Sequence, residues 1–109
     1  PWFVIDKDFK ENKLIVGQGH QNPLLLSDGL IATDMHWISQ DTPKVNWVYS
    51  AKTRYRQSDS PCEIDSIKNN ACTVMFGQKQ WAITPGQSVV IYESNVCLGG
   101  GFIKNATNL

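Results

Sequence analysis

The sequence predicts an all-β protein, a small barrel or sandwich of six or seven short strands. Two observations predict it. Runs rich in β-branched and aromatic residues recur at short spacing, each bounded by Pro, Gly, Asn, Asp or Ser clusters. No window sustains a helical period, and neither an internal repeat nor a low-complexity segment interrupts the pattern. A chain of 109 residues with 41% hydrophobic residues can bury a core without disulfide or metal staples.

Taken in order, Trp2–Asp6 and Lys13–Gly17 are β-rich runs on either side of the charged segment Lys7–Asn12, which reads as a hairpin. Residues 18–29 combine Gly, Asn, Pro and Ser with a short Leu24-Leu25-Leu26 insert. They read as a linker, or one short helical turn, between two units. The division expected is therefore 1–28, a hairpin plus linker ending one domain, and 29–109, a β-barrel. Within the second unit strands are expected over Leu30–Ile38, Val45–Arg56, Cys62–Ile67, Ala71–Phe76, Trp81–Ile83, Ser88–Tyr92 and Val96–Ile103. Turn residues separate them at Asp41-Thr42-Pro43, Ser58–Pro61, Lys68-Asn69-Asn70, Pro85-Gly86 and Glu93-Ser94-Asn95.

Composition excludes several classes. No apolar run approaches the roughly 20 residues of a membrane-spanning helix, and no basic-then-apolar leader resembles a signal peptide. The chain opens at Pro1 and goes straight into Trp2-Phe3-Val4-Ile5, which reads as an excised piece. Cys62, Cys72 and Cys97 cannot all pair with one another, and their spacing matches no zinc motif. Reduced thiols in a cytosolic protein are the simplest reading, and one disulfide plus a free thiol is the alternative. Formal net charge is zero, but its distribution is uneven. Residues 1–43 carry three Lys against five Asp and one Glu. Residues 44–79 carry four Lys and two Arg against two Asp and one Glu. The excess of three positive charges in the middle third is modest, and it coincides with the longest expected strand.

In that strand the odd positions Val45, Trp47, Tyr49, Ala51, Thr53 and Tyr55 form one face and should meet the core. The even positions end in Lys52, Arg54 and Arg56. Cations on alternate strand residues are about 6.6 Å apart, twice the strand rise. That spacing resembles successive phosphates, so the face could track a nucleic-acid backbone. The plainer alternative is a solvated strand whose cations discourage edge pairing. Tyr55 could leave the core face and stack on an unpaired base, whereas the strand pattern alone makes it the last core aromatic. Thr84-Pro85-Gly86-Gln87 has the Pro-Gly centre of a type II turn, so Gln87 emerges where it can read a ribose, a phosphate or a base edge, or serve simply as a polar turn residue. Gly99-Gly100-Gly101 is no dinucleotide fingerprint, because no helix follows, and it reads as close backbone approach at a barrel closure. His20 and His36 lack partners at metal or triad spacing; His36 reads as half-buried beside Trp37. No paired carboxylates, P-loop or metal motif appears, and Cys97 has no His near it in sequence. The residues describe a binding module and no catalytic or metal site.

The motifs KTRYRQ with the following Ser-Pro-Cys, TPGQSVV and VCLGGGFI, together with PWFVIDKDFKENKLIVGQGHQNPLL at the front, resemble the C-terminal region of the tRNA-specific 2-thiouridylase family over essentially the whole chain. The resemblance implies a C-terminal barrel similar to domain 2 of translation elongation factors, behind a nucleotide-binding domain and a small middle domain. It implies an enzyme that uses ATP, with Mg, to adenylate the wobble uridine of tRNA and a cysteine persulfide to deliver sulfur. The family's nucleotide-binding loop and catalytic cysteines have no counterpart in these residues; none of the three Cys falls on a matching motif. By resemblance Arg54, Tyr55 and Gln87 match positions that contact tRNA, with Lys52 and Arg56 beside them. The implied partners are tRNA, the remaining domains of the same enzyme and a sulfur-relay protein, with no membrane, for a cytoplasmic monomer. Two other readings stay open: a barrel that docks other domains or a sulfur donor with its cations merely solvated, and a small enzyme using Cys97.

Overall fold

In the computed structural model the backbone is described for residues 2–8 and 13–18, and residues 25–38 and 42–108 are described in full. Among these the chain forms eight strands and no α-helix. Strands β1 (Trp2–Asp8) and β2 (Lys13–Gln18) pair antiparallel, the expected hairpin. The other six are β3 (Leu26–Trp37), β4 (Val48–Lys52), β5 (Ser60–Lys68), β6 (Ala71–Trp81), β7 (Ser88–Glu93) and β8 (Val96–Thr107). They close a barrel in the order β3-β6-β5-β4-β7-β8, every pairing antiparallel. The fold class is the one the sequence predicts.

Period-two alternation aims one residue in two at the interior: Tyr49 and Ala51 on β4, Cys62 and Ile64 on β5, Cys72 and Val74 on β6, Val89 and Ile91 on β7. Leu30, Ala32 and Ile103 complete the centre. A six-strand barrel has a narrow interior, so Ala and Cys alternate with Ile and Val to fill it. Closure requires curvature, and register shifts at Ser27/Gly29, Thr33/His36, Ile64/Ser66 and Ile91/Tyr92 supply it. The Gly99–Gly101 run lies where β8 passes between β3 and β7. A Cβ on Gly101 would sit 2.6 Å from the Thr33 carbonyl oxygen, and one on Gly100 would sit 2.8 Å from that of Val89. Close backbone approach is thus the reason for the glycines.

Several strand boundaries differ from expectation, among them the end of β8, which runs on to Thr107. β3 starts at Leu26, where it pairs with Trp81, so the stretch read as linker up to residue 29 is partly barrel wall; residues 19–24 lie outside the described residues. The segments read as Ala71–Phe76 and Trp81–Ile83 include a single strand, β6, that ends only where Ala82 turns to φ 55°. The long strand Val45–Arg56 is cut at both ends to Val48–Lys52. Before it, Asn46 adopts φ 61° and gives its N–H to the Ile64 carbonyl, and Lys44 N–H donates to the Tyr49 hydroxyl. After it, Gln57 N–H closes a turn on the Arg54 carbonyl, and the Thr53 hydroxyl donates to Gln57 Oε1. The ladder stops at these points although β5 runs on to Lys68 and β7 starts at Ser88, the turn bonds taking the place of further pairing.

Candidate nucleic-acid interface

The turn that follows β6 shapes the site. Gly86 has φ 90°, and Gln87 N–H donates to the Thr84 carbonyl at 3.2 Å, which is the expected type II turn. Gly86 N–H donates to the Ile103 carbonyl at 2.8 Å, and Ile103 N–H donates to that of Gln87 at 2.7 Å. Both contacts are backbone to backbone, so β8 fixes the position of Gln87 independently of its side chain.

Across from this turn, the end of β4 and the loop after it present Lys52 to Arg56. Lys52, Thr53, Arg54, Tyr55, Gln87, Ser88, Val90 and Tyr92 together line one open groove of about 660 Å³. Four of the five residues singled out in the sequence share this groove although more than thirty positions separate Lys52 from Gln87. Arg56 is exposed on the same loop but is not among the lining residues.

The cations do not form the alternating row that an extended strand would give. Because β4 stops at Lys52, Arg54 and Arg56 lie beyond the ladder, and the alternating strand face that would set a phosphate spacing is not formed. Lys52 Nζ lies 5.8 Å from the centre of the Tyr92 ring. The nearby Asp59 carboxylate accepts the Ser50 hydroxyl, which holds its pKa below the usual range, with a smaller contribution from Lys52. Arg54 turns inward: Nη2 donates to the Ala82 carbonyl at 2.7 Å, and the guanidinium lies 5.3 Å from the Trp81 ring centre. It braces the left-handed corner at Ala82 from which the Gln87 turn departs. Tyr55, read from parity as a core residue, is 91% exposed because the turn lifts it off the barrel. Val45 and Trp47 are likewise exposed, since residues 45–47 are not strand.

Two polar atoms in this groove's walls are buried and meet no protein partner, Gln87 Oε1 and Arg54 Nε. Sequence reasoning missed Val90 and Tyr92, the apolar wall of the groove. Their even parity opposite the core residues Val89 and Ile91 was the available signal.

Among the described residues no other cluster competes as a reactive centre. Among the described residues no group of three His, Cys, Asp or Glu could hold a metal ion. Cys62, Cys72 and Cys97 are all free thiols. Burial pushes Cys62 up to about 12 and Cys72 up to about 11, the opposite of an activated nucleophile. His36 is exposed rather than half-buried, and His20 lies outside the described residues. No described helix is long and apolar enough to cross a membrane.

The other end of β4 and β7 has a different character. Trp47 is 51% exposed, with Nε1 donating to Glu93 Oε2 at 3.2 Å and Lys44 Nζ 5.1 Å from its ring. Val96, the first residue of β8 and the partner of Glu93, is 63% exposed. Ile38, whose N–H donates to the Leu98 carbonyl, is 64% exposed. Trp47, Glu93 and Leu98 line one shallow cleft of about 250 Å³.

Comparison with known proteins places these features. The family described as the aminomethyltransferase beta-barrel domain matches residues 27–103. A tRNA-specific 2-thiouridylase MnmA of Methylobacillus flagellatus is 65% identical over 106 residues, 97% of this chain and 29% of that protein. The protein of the same name from Nitrosomonas europaea is 57% identical over 103 residues, 94% of this chain and 28% of its own length. One from Methylococcus capsulatus is 51% identical over 110 residues, 99% of this chain and 30% of its own. The chain thus spans less than a third of the length of the relatives it matches.

Proposed function

Since the chain belongs to the aminomethyltransferase β-barrel domain family, as the barrel piece of tRNA-specific 2-thiouridylases, we propose that it is the tRNA-contacting, non-catalytic C-terminal domain of an enzyme that thiolates the wobble uridine of tRNA. The observation that carries this reading is the groove that joins Lys52, Arg54, Tyr55 and Gln87. Tyr55 offers a fully accessible ring for stacking, Lys52 and Arg56 offer charge to phosphates, and the braced turn presents Gln87. In this reading ATP and Mg²⁺ act in the parts of such an enzyme that the chain does not span. In this reading residues 1–28 end the preceding domain and 29–109 form the barrel, with Leu26 of the connecting stretch paired to Trp81 in the barrel wall. A cytoplasmic monomer is the setting the reading implies.

The second reading concerns the opposite end. Exposed Ile38, Trp47 and Val96 support a protein-contact face, for the remaining domains of the enzyme or for a sulfur-relay protein. The two readings concern separate ends and are compatible.

Titrating tRNA against the chain across a salt series tests the first reading. Binding should weaken with salt, and Lys52→Ala or Arg56→Ala should each flatten the log–log slope by about one. Absence of binding at low salt, or slopes identical in all variants, overturns it.

A further inference from the structure

The barrel leaves three large apolar side chains in water at one place. Among the described residues seven such side chains are exposed, and Val45, Trp47 and Val48 put three of them within four consecutive positions. With Asn46 at φ 61°, in the left-handed region, residues 45–47 are not strand, and Val45 and Trp47 miss the core face that parity assigns them. The ridge is nonetheless pinned. Asn46 N–H donates to the Ile64 carbonyl, Lys44 N–H to the Tyr49 hydroxyl and Trp47 Nε1 to Glu93. Trp47 lines the cleft of about 250 Å³, while Val48 lines a separate one of about 380 Å³ with Pro61, Met75 and Phe76. A rigid apolar ridge between two clefts, with an indole at its centre, has the anatomy of a protein contact and loses little freedom on docking.

The charged residues lining the two clefts are Lys44, Glu63 and Glu93, so a phosphate backbone is not favoured there. The length of the related enzymes points to the occupant. Relatives 65% and 57% identical carry this barrel as 29% and 28% of their length, so most of such a polypeptide is a body linked to the barrel. A linked surface meets the ridge at an effective concentration of order mM, well above that of a free partner. The chain enters the barrel at Leu25, whose carbonyl accepts the Ala82 N–H, at the end where the Gln87 turn lies. Contact at the ridge is therefore a second attachment, remote from the covalent one. We infer that the Val45–Val48 ridge docks an apolar surface of the remaining domains of the same polypeptide, which holds the barrel at two points and fixes the orientation of its groove. The inference rests on the protein-contact reading above and commits it to one occupant.

Hydroxyl-radical footprinting, read by peptide mass spectrometry, compares Trp47 in the 109-residue chain and in the full-length enzyme, both without tRNA. Trp47 should oxidise several-fold more slowly in the full-length enzyme, equally so across a dilution series. Val48→Lys in that enzyme should return Trp47 to the rate of the 109-residue chain. Val48 lies opposite Glu63 in the β4–β5 ladder, so a lysine there is compatible with the fold, and the Tm of the 109-residue variant should stay unchanged. Protection that disappears on dilution overturns the inference by assigning the ridge to a second copy. Equal oxidation in the two chains overturns it as well, and the 2-thiouridine content of tRNA from cells relying on the Val48→Lys enzyme then separates two cases. A fall in content assigns the ridge to a separate protein and leaves the protein-contact reading standing. Unchanged content means that the broader reading has failed too.

Discussion

The β4–β7 pair carries a different surface at each end. Where β4 leaves the sheet and β7 enters it, polar atoms are buried without partners, cations are held by rings and carbonyls, and one tyrosine is almost wholly in water. Where β4 enters and β7 leaves, Trp47 and Val96 stay half open, and the polar contact there, Trp47 to Glu93, is itself exposed. The first end is incomplete in hydrogen bonds, the second in apolar burial. The cations of the first end favour an anionic ligand with salt-dependent affinity, whereas uncovered apolar area favours another protein surface and is far less sensitive to salt. One short barrel, with Tyr49, Ala51, Val89 and Ile91 as the shared core between the ends, can therefore serve two kinds of contact.

The largest effect should come from Arg54→Ala. Its side chain spans from the β4 loop to the Ala82 corner, so removing it leaves the Ala82 carbonyl with the Thr84 hydroxyl alone, loses the charged donor and releases the Trp81 ring. A hydrogen bond from a charged donor is worth about 1.5–3 kcal/mol, which for a chain of this size lowers Tm by roughly 5–10 °C. Affinity for tRNA should fall with it, because the Gln87 turn loses its brace. The sequence alone, with Arg54 on a solvated strand face, predicts loss of affinity at constant Tm. Thermal melts therefore decide between a brace and a surface cation, and an unchanged Tm would break the contrast between the ends as drawn here.

Tyr55→Ala comes next. At 91% exposure the residue contributes little to the fold, and Tm should move by no more than a degree or two. Base stacking on an aromatic ring is worth about 1–3 kcal/mol, so affinity for single-stranded or tRNA ligands should fall about tenfold or more. Affinity and Tm would thus separate for Tyr55 and move together for Arg54. At the apolar end, Trp47→Ala combined with Val96→Ser should change tRNA affinity less than twofold at every salt concentration. A loss as large as that of Tyr55→Ala would mean that RNA covers both ends, and the distinction would collapse.

How much of this was legible in the sequence follows from which interactions are local. Alternation within β5, β6 and β7 was readable, because side-chain parity is a property of consecutive residues. The type II turn at Pro85-Gly86 was readable for the same reason, and so were the three consecutive glycines of β8, whose run permits the close backbone approach found there. The limits of β4 were not. Val45-Asn46-Trp47 has strand composition, yet Asn46 turns over to bond with Ile64, a residue eighteen positions away. Thr53–Gln57 alternates like a strand until the ladder with β5 and β7 runs out after Lys52. Parity therefore failed for Tyr55, and the phosphate-spaced row failed with it. The residues that share the groove were singled out from a geometry the chain does not adopt: tertiary closure, not strand spacing, puts Gln87 in the same groove as Arg54.

The smallest effects belong to the thiols, and they probe the two ends without altering either. Cys62 and Cys72 lie in the core, where burial raises their pKa to about 12 and about 11 from 9.0. A thiol whose pKa is raised by folding favours the native state in its neutral form, and only the unfolded chain gains by ionising between the two pKa values. The contribution is therefore constant below about pH 8 and is lost as pH rises from about 9 toward 11–12, so Tm should be flat up to pH 8 and decline above pH 9. Cys97, half-buried beside Val96 at the apolar end, is the accessible thiol. Iodoacetamide at pH 8 should modify Cys97 first, with Cys62 and Cys72 reacting only as the barrel opens. A Cys97-alkylated chain should lose less affinity for tRNA than Tyr55→Ala does, since Cys97 pairs with Tyr92, at the far end of the groove from Gln87. If alkylating Cys97 alone abolished binding, the thiol would have to lie within the RNA footprint, and the separation of the ends would be lost.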